Sequence, residues 1–205
     1  MSPHDPAPSR TPVVLGLTGA SGALYGKQLL LALLERRHPV ELIASTAAQR
    51  VFLHELDLAV APQAMDLWLP VEHRSLVRWH PIDDIGASVA SGSYPVQGMV
   101  IAPCSMGSVA RIATGISHNL LDRAADVQLK ERRPLVLVVR EAPLSRLHLL
   151  NLLKLAEMGA IILPASPGFY HKPRTIDELV RSVIERALTH LGLPESDQRV
   201  HWTGE

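Results

Sequence analysis

A chain of 205 residues with 47% hydrophobic content has room for one domain with a sizeable core. Its 20 Lys and Arg balance 20 Asp and Glu, so no overall charge makes nucleic acid the default partner, and any cationic cluster is local. Cys104 is the only cysteine, which rules out an intramolecular disulfide and admits a reducing compartment.

Residues 1–11 are Pro-rich and polar and read as a flexible leader. They lack the apolar core of a signal peptide, and no later run approaches membrane-spanning length, so the expectation is a soluble cytoplasmic protein. Residues 12–194 form the expected single domain and 195–205 a tail, polar except for Trp202. The domain opens on VVLGLTGASGALYG, residues 13–26. This is a buried strand, a Gly-Ala-Ser turn and the start of a helix, with backbone amides and the helix dipole aimed at whatever sits above, a natural place for a phosphate. Gly19, Gly22 and Gly26 do not have the dinucleotide spacing, and no Gly-Lys-Ser/Thr follows. A short-chain reductase would need a lysine four residues after a tyrosine. Tyr25, Tyr94 and Tyr170 are followed there by Leu29, Gly98 and Arg174.

A second strand over residues 39–44 ends at Ser45 and Thr46, either of which could cap the next helix, and Ser45 could equally face the ligand of the first turn. Residues 59–95 are the least regular, with a short strand expected at 76–80. Residues 98–102 make a clear buried strand, closed by Pro103-Cys104-Ser105-Met106-Gly107-Ser108. A helix is expected from Ser108 and a longer one from Asn119 to Lys130. On the longer helix Arg123 and Lys130 are two turns apart and could reach one anion, but Asp126 lies between them, so an ion-pair ladder is the simpler reading of spacing alone. The apolar strand over residues 134–139 carries Arg140 and Glu141 at its carboxyl end, where open α/β folds bind ligands. An amphipathic helix at 144–158, a short strand at 160–163, a loop at 164–173 and a capping box at Thr175 to Glu178 complete the chain. The alternation predicts a doubly wound α/β fold with a mainly parallel sheet and helices on both faces, flavodoxin-like or Rossmann-like. No His/Cys/Asp spacing suggests a metal.

Three segments together, LTGASGALYG (17–26), MVIAPCSMGSVARIATGISHNLLDRAADVQLKERRPLVLVVREAP (99–143) and LPASPGFYHKP (163–173), resemble the flavin prenyltransferase family over nearly the whole chain. The resemblance implies transfer of a dimethylallyl group from dimethylallyl phosphate to N5 and C6 of reduced FMN, without metal, making prenylated FMN for a decarboxylase of the ubiquinone pathway or of aromatic acids. It implies FMN contacts from Gly19, Ala20, Ser21, Ser45, Ser105, Met106, Gly107, Ser108 and Arg140. Met106 stands where a smaller polar residue is common, which leaves it a backbone contact. Tyr170 and Arg186 would hold the prenyl phosphate, with Arg123 and Lys130 completing that pocket across a subunit boundary. Glu55 and Glu141 match acidic residues near the reacting centre, and either Ser21 bonded to Glu141 would make a proton relay or the leaving phosphate would itself be the base. An aromatic face for the allylic cation could come from Tyr94, Trp79 or Tyr170. The family also implies a homo-oligomer, a dodecamer, with the site at subunit contacts. The alternatives are a flavin-dependent decarboxylase of cysteine-containing peptides or phosphopantothenoylcysteine, and a non-catalytic FMN-binding protein. The first would use an Asn-rich motif where this chain has PCSMGSVA, and the second has no need of a second phosphate pocket.

Overall fold

The central strands of this chain are almost wholly apolar on both faces, and the structure shows why. In a computed structural model, which describes residues 10–193, six strands form one all-parallel sheet in the order β3-β2-β1-β4-β5-β6. They are β1 (Val13–Leu17), β2 (Val40–Ala44), β3 (Val77–His80), β4 (Gly98–Cys104), β5 (Leu135–Val139) and β6 (Ile161–Pro164). This is the Rossmann order, with its topological switch point between β1 and β4. The expected leader, apart from its last two residues, and the expected tail with Trp202 lie outside the described residues.

Alternate residues of each central strand feed two different cores. Val13, Leu15 and Leu17 of β1 join a layer with α1 (Ala23–Glu35), α2 (Thr46–Leu56) and α7 (Ile176–His190). Val14 joins the opposite layer, with α4 (Met106–Thr114), α5 (Leu120–Lys130) and α6 (Arg146–Glu157). Residues 57–97 hold only the short helix α3 (Pro62–Met65), two 3-10 turns and β3. That is the stretch where neither period is clear in the sequence.

Three local differences from the sequence reading have simple causes. The helix expected from Ser108 starts at Met106, because Ser105 is its cap: the Ser105 hydroxyl accepts from the Ser108 amide at 3.4 Å. Ser45 rather than Thr46 caps α2, accepting from the Ala48 amide at 3.1 Å. The box at α7 is half formed, since Thr175 accepts from the Glu178 amide but the Glu178 carboxylate turns to the Arg174 amide at 2.6 Å.

Helices α1 and α7 lie side by side and run the same way. Gln28 bonds Asp177, and eight residues further along each helix Arg36 meets Glu185 at 2.7 Å. Both helices therefore begin at the carboxyl edge of the sheet and end at its amino edge. Helix α5 does likewise, because Pro134, which follows it, accepts from the Met99 amide at the start of β4.

Gly26 is where α1 touches the sheet. A Cβ there would stand 2.6 Å from the Ala102 carbonyl oxygen and 2.7 Å from a Leu17 methyl, and the backbone of β4 cannot give way. Gly26→Ala is therefore expected to destabilise the fold by about 1–3 kcal/mol in urea unfolding, with an unchanged slope.

Candidate active site

The loops that follow β1, β2, β4 and β5 open at one edge of the sheet, and the side chains the sequence singles out there come together. Gly19 packs so closely against α2 that a Cβ would fall 2.4 Å from the Ala47 methyl. Ala20 is buried behind it and Ser21 is exposed at the rim. The Arg140 Nε donates to the Ser21 carbonyl at 3.0 Å, so the end of β5 is tied to the first turn. Ser45 and Ser105 cap the helices on either side.

The start of α1 has no cap of its own, because Gly22 supplies no side chain. Glu55 from α2 fills that role. Its carboxylate accepts from the Gly22 amide at 2.9 Å and the Ala23 amide at 2.8 Å, with the Ser21 hydroxyl beside it. An internal anion thus occupies part of the helix terminus that the sequence offers to a phosphate, and a ligand phosphate at this turn would have to meet the backbone before Gly22. Partial burial opposes the charge on Glu55, but the Ser21 hydroxyl, the two amides and the Arg140 guanidinium outweigh it and hold the carboxyl below its ordinary range. Glu55 is therefore a carboxylate at neutral pH and an acceptor for the Ser21 proton.

The Ser21 hydroxyl thus lies beside Glu55, whereas the relay partner that the family resemblance implies is Glu141. Glu141 is exposed, and its carboxylate accepts from the amide of its own neighbour Ala142 at 3.1 Å. The side chain of Met106 is buried in the core, leaving its backbone to face the loop, while Gly107 is exposed and Ser108 is buried with its hydroxyl 3.2 Å from that of Ser105. Burial pushes the Cys104 thiol up to about 12, so it is no thiolate near neutral pH.

The expected phosphate-binding residues do not gather with these within one chain. Tyr170 is at the same edge, on the loop after β6, exposed and with its ring over Gly168. Arg186 follows Glu185, which pairs with Arg36 at the far end of α1, about 20 Å along that helix from Gly22. Lys130 ends α5, likewise toward the amino edge, and Arg123 lies two turns before it. Only half of the ion-pair ladder forms: Arg123 meets Asp126 at 2.8 Å, while Lys130 pairs with Glu131. Of the aromatic candidates, Trp79 packs against the core layer of α1, and Tyr94 against the other layer, with its hydroxyl bonded to Glu41.

Two groups that sequence reasoning missed organise this edge. The buried Thr18 hydroxyl donates to the Pro103 carbonyl at 2.7 Å and accepts from the Ser105 amide at 2.8 Å, joining the ends of β1 and β4 across the switch point. A hydroxyl directly after a buried strand was the available signal. Asp122, whose side chain is wholly buried, holds the Arg111 Nε at 2.7 Å, and Arg111 reaches the Ser108 hydroxyl at 3.2 Å. Burial raises the Asp122 carboxyl despite this guanidinium.

Known proteins resemble this chain over most of its length. The family described as flavoprotein matches residues 2–188. A flavin prenyltransferase UbiX of Pseudomonas aeruginosa is 48% identical over 196 residues, 93% of either chain. This chain belongs to the flavin prenyltransferase family of flavoproteins. A crystal structure of AnUbiX (PadA1) in complex with FMN and dimethylallyl pyrophosphate superimposes with a TM-score of 0.85 at 38% identity, covering 96% of this chain and 99% of that one. A dodecameric FMN-dependent UbiX-like decarboxylase from Escherichia coli O157:H7 gives 0.84 at 38% identity, covering 95% of this chain and all of the other. The chain is thus an FMN enzyme of the prenyltransferase class, and no helix among its described residues is long and apolar enough to cross a membrane.

Thr18→Val keeps the shape but strands the Ser105 amide and the Pro103 carbonyl. We expect a loss of about 1–3 kcal/mol in unfolding and weaker FMN binding by fluorescence titration, because both loops of the switch point lose their common anchor.

Proposed function

We propose that this protein joins the dimethylallyl group of dimethylallyl phosphate to N5 and C6 of reduced FMN, and that prenylated FMN passes to a partner decarboxylase. What carries the reading is that positions matching the family's flavin contacts meet at one sheet edge beside a charged, proton-accepting Glu55. The donor set suits FMN: a close-packed Gly19 that lets backbone approach a ligand, the hydroxyls of Ser45, Ser105 and Ser108, the backbone of Ala20, Met106 and Gly107, and the guanidinium of Arg140. When bound, reduced FMN supplies the nucleophilic nitrogen and the ring carbon of the two new bonds.

The chain's own residues have three tasks in this scheme. Tyr170, Arg186, Arg123 and Lys130 meet the charge that develops on the phosphate oxygens as the allylic carbon–oxygen bond breaks, which makes a monophosphate a workable leaving group without a metal. Ser21 and Glu55 accept and hold the proton released as the ring closes, since the hydroxyl lies beside an ionised carboxylate. Glu141, at the mouth of the same edge, would add negative charge beside the reacting group. Since Lys130 and Arg186 lie about a helix length from their own chain's flavin loops, the complete pocket needs neighbouring copies, which an assembly like that of the dodecameric relative would supply. The same groups argue against a carrier, which has no use for a second anion site. A cytoplasmic location fits a family whose product is handed to another enzyme.

Anaerobic incubation with reduced FMN and dimethylallyl phosphate should yield a flavin heavier by one five-carbon unit in mass spectrometry. An unchanged flavin from FMN-loaded protein would reject the assignment. Lys130→Ala should bind FMN normally and turn over slowly. The shared pocket has its own test: Ser21→Ala and Arg186→Ala proteins, each nearly inactive, should regain activity after dissociation and reassembly together, because some mixed sites hold both native groups. No regain in confirmed mixed oligomers would place each site within one chain.

A further inference from the structure

A second polar centre lies away from the flavin loops, and the mechanism does not use it. Glu41, in the middle of the buried strand β2, is 5% exposed, and His80, the last residue of β3, is 4% exposed. The His80 Nε2 bonds one carboxylate oxygen and the Tyr94 hydroxyl donates to the other at 2.6 Å. Burial opposes the charge on Glu41, but these two partners outweigh it and hold the carboxyl below its ordinary range. A buried carboxylate with its partners rarely improves on an apolar side chain of the same size, so what such a group contributes is definite placement of what it holds.

What Glu41 holds is the turn at residues 91–94. Tyr94 is its outward link, and the backbone it anchors makes two further contacts. The carbonyls of Tyr94 and Gly92 accept from the two terminal nitrogens of Arg133, at 2.9 and 2.6 Å. Gly92 itself lies against the end of α5: a Cβ there would stand 2.1 Å from a Glu131 carboxylate oxygen and 2.9 Å from the Lys130 ammonium. Lys130 has a flexible four-carbon stem, and its side chain is 54% exposed. An ammonium that is to meet a phosphate bound at another copy of the chain must be set in place beforehand, since a displacement of about 1 Å can cost two orders of magnitude in rate.

We propose that Glu41 and Tyr94 are positioning residues for Lys130, acting through the turn at residues 91–94, whose backbone is the wall that sets the ammonium at the prenyl-phosphate pocket. This rests on the reading of Lys130 as a phosphate ligand. The chain of contacts runs from His80 and Glu41 through the Tyr94 phenol to its backbone, and from there through Gly92 to Lys130. Removing the phenol hydroxyl frees the turn, and adding a methyl group at Gly92 moves the wall while leaving Glu41 and Tyr94 intact. Because the methyl meets only the far ends of two flexible side chains, the fold tolerates it.

The experiment measures steady-state kinetics and FMN affinity for Tyr94→Phe, Gly92→Ala and Lys130→Ala and for each of the first two combined with the third. Tyr94→Phe and Gly92→Ala should each raise KM for dimethylallyl phosphate roughly 5–10-fold, the size of one lost hydrogen bond, with FMN Kd unchanged. Gly92→Ala should melt within about 2 °C of the native protein, which keeps the test independent of folding. In the Lys130→Ala background each should add less than about 2-fold, because the group they position is gone. Full additivity in that background, or a loss confined to FMN affinity, overturns the proposal and leaves the prenyltransferase reading standing. A Lys130→Ala protein with native KM and turnover overturns the proposal together with the reading of Lys130 as a phosphate ligand.

Discussion

In a parallel sheet every crossover helix must run back against the strands, and this single constraint distributes chemistry in the molecule. The starts of α1, α2, α4 and α5 collect at the carboxyl edge, and the ends of α1, α5 and α7 collect at the amino edge. Backbone amides and hydroxyl caps therefore share one edge, and Lys130 on the last turn of α5 and Arg186 in the second half of α7 lie toward the other. Helix dipoles reinforce the division, since anions are favoured at the starts and cations at the ends. One chain can hold a flavin tail on its first edge and offer cations from its second, but it cannot bring the two together by itself.

On the proposed function, that separation would give oligomerisation a chemical purpose. A monophosphate leaves an allyl group slowly unless fixed positive charge meets it, and such charge crowded beside Arg140 in one chain would stand against itself before substrate arrived. In the proposed reaction, supplying it from neighbouring copies would let each protomer fold without that repulsion. Helix α6 is consistent with an assembled protein, because Leu147, Leu149, Leu150 and Leu153 are all about half exposed or more and Leu155 alone is buried there. The edge of the flavin loops is meanwhile held by polar groups of the chain itself, Glu55 on the start of α1 and Thr18 between β1 and β4, so its geometry does not wait for a ligand.

The residues themselves determined much of this. Apolar runs without alternation announced a parallel sheet covered on both faces, since a strand between two helix layers has no polar side to show. Small and hydroxyl residues directly after β1, β2 and β4 marked the ligand edge, because caps and close turns can be read from residue type alone. The three extended segments were distinctive enough to identify the family before any fold was known. Only the tertiary structure decided which carboxylate meets Ser21, which end of the sheet Lys130 and Arg186 occupy, and that Glu41, His80 and Tyr94 form one buried centre. Each of those facts pairs residues far apart in the chain, 34 positions between Ser21 and Glu55 and 53 between Glu41 and Tyr94. Local propensity carries no information at that range. Such pairings are set by which strands neighbour each other and by the direction in which each helix returns.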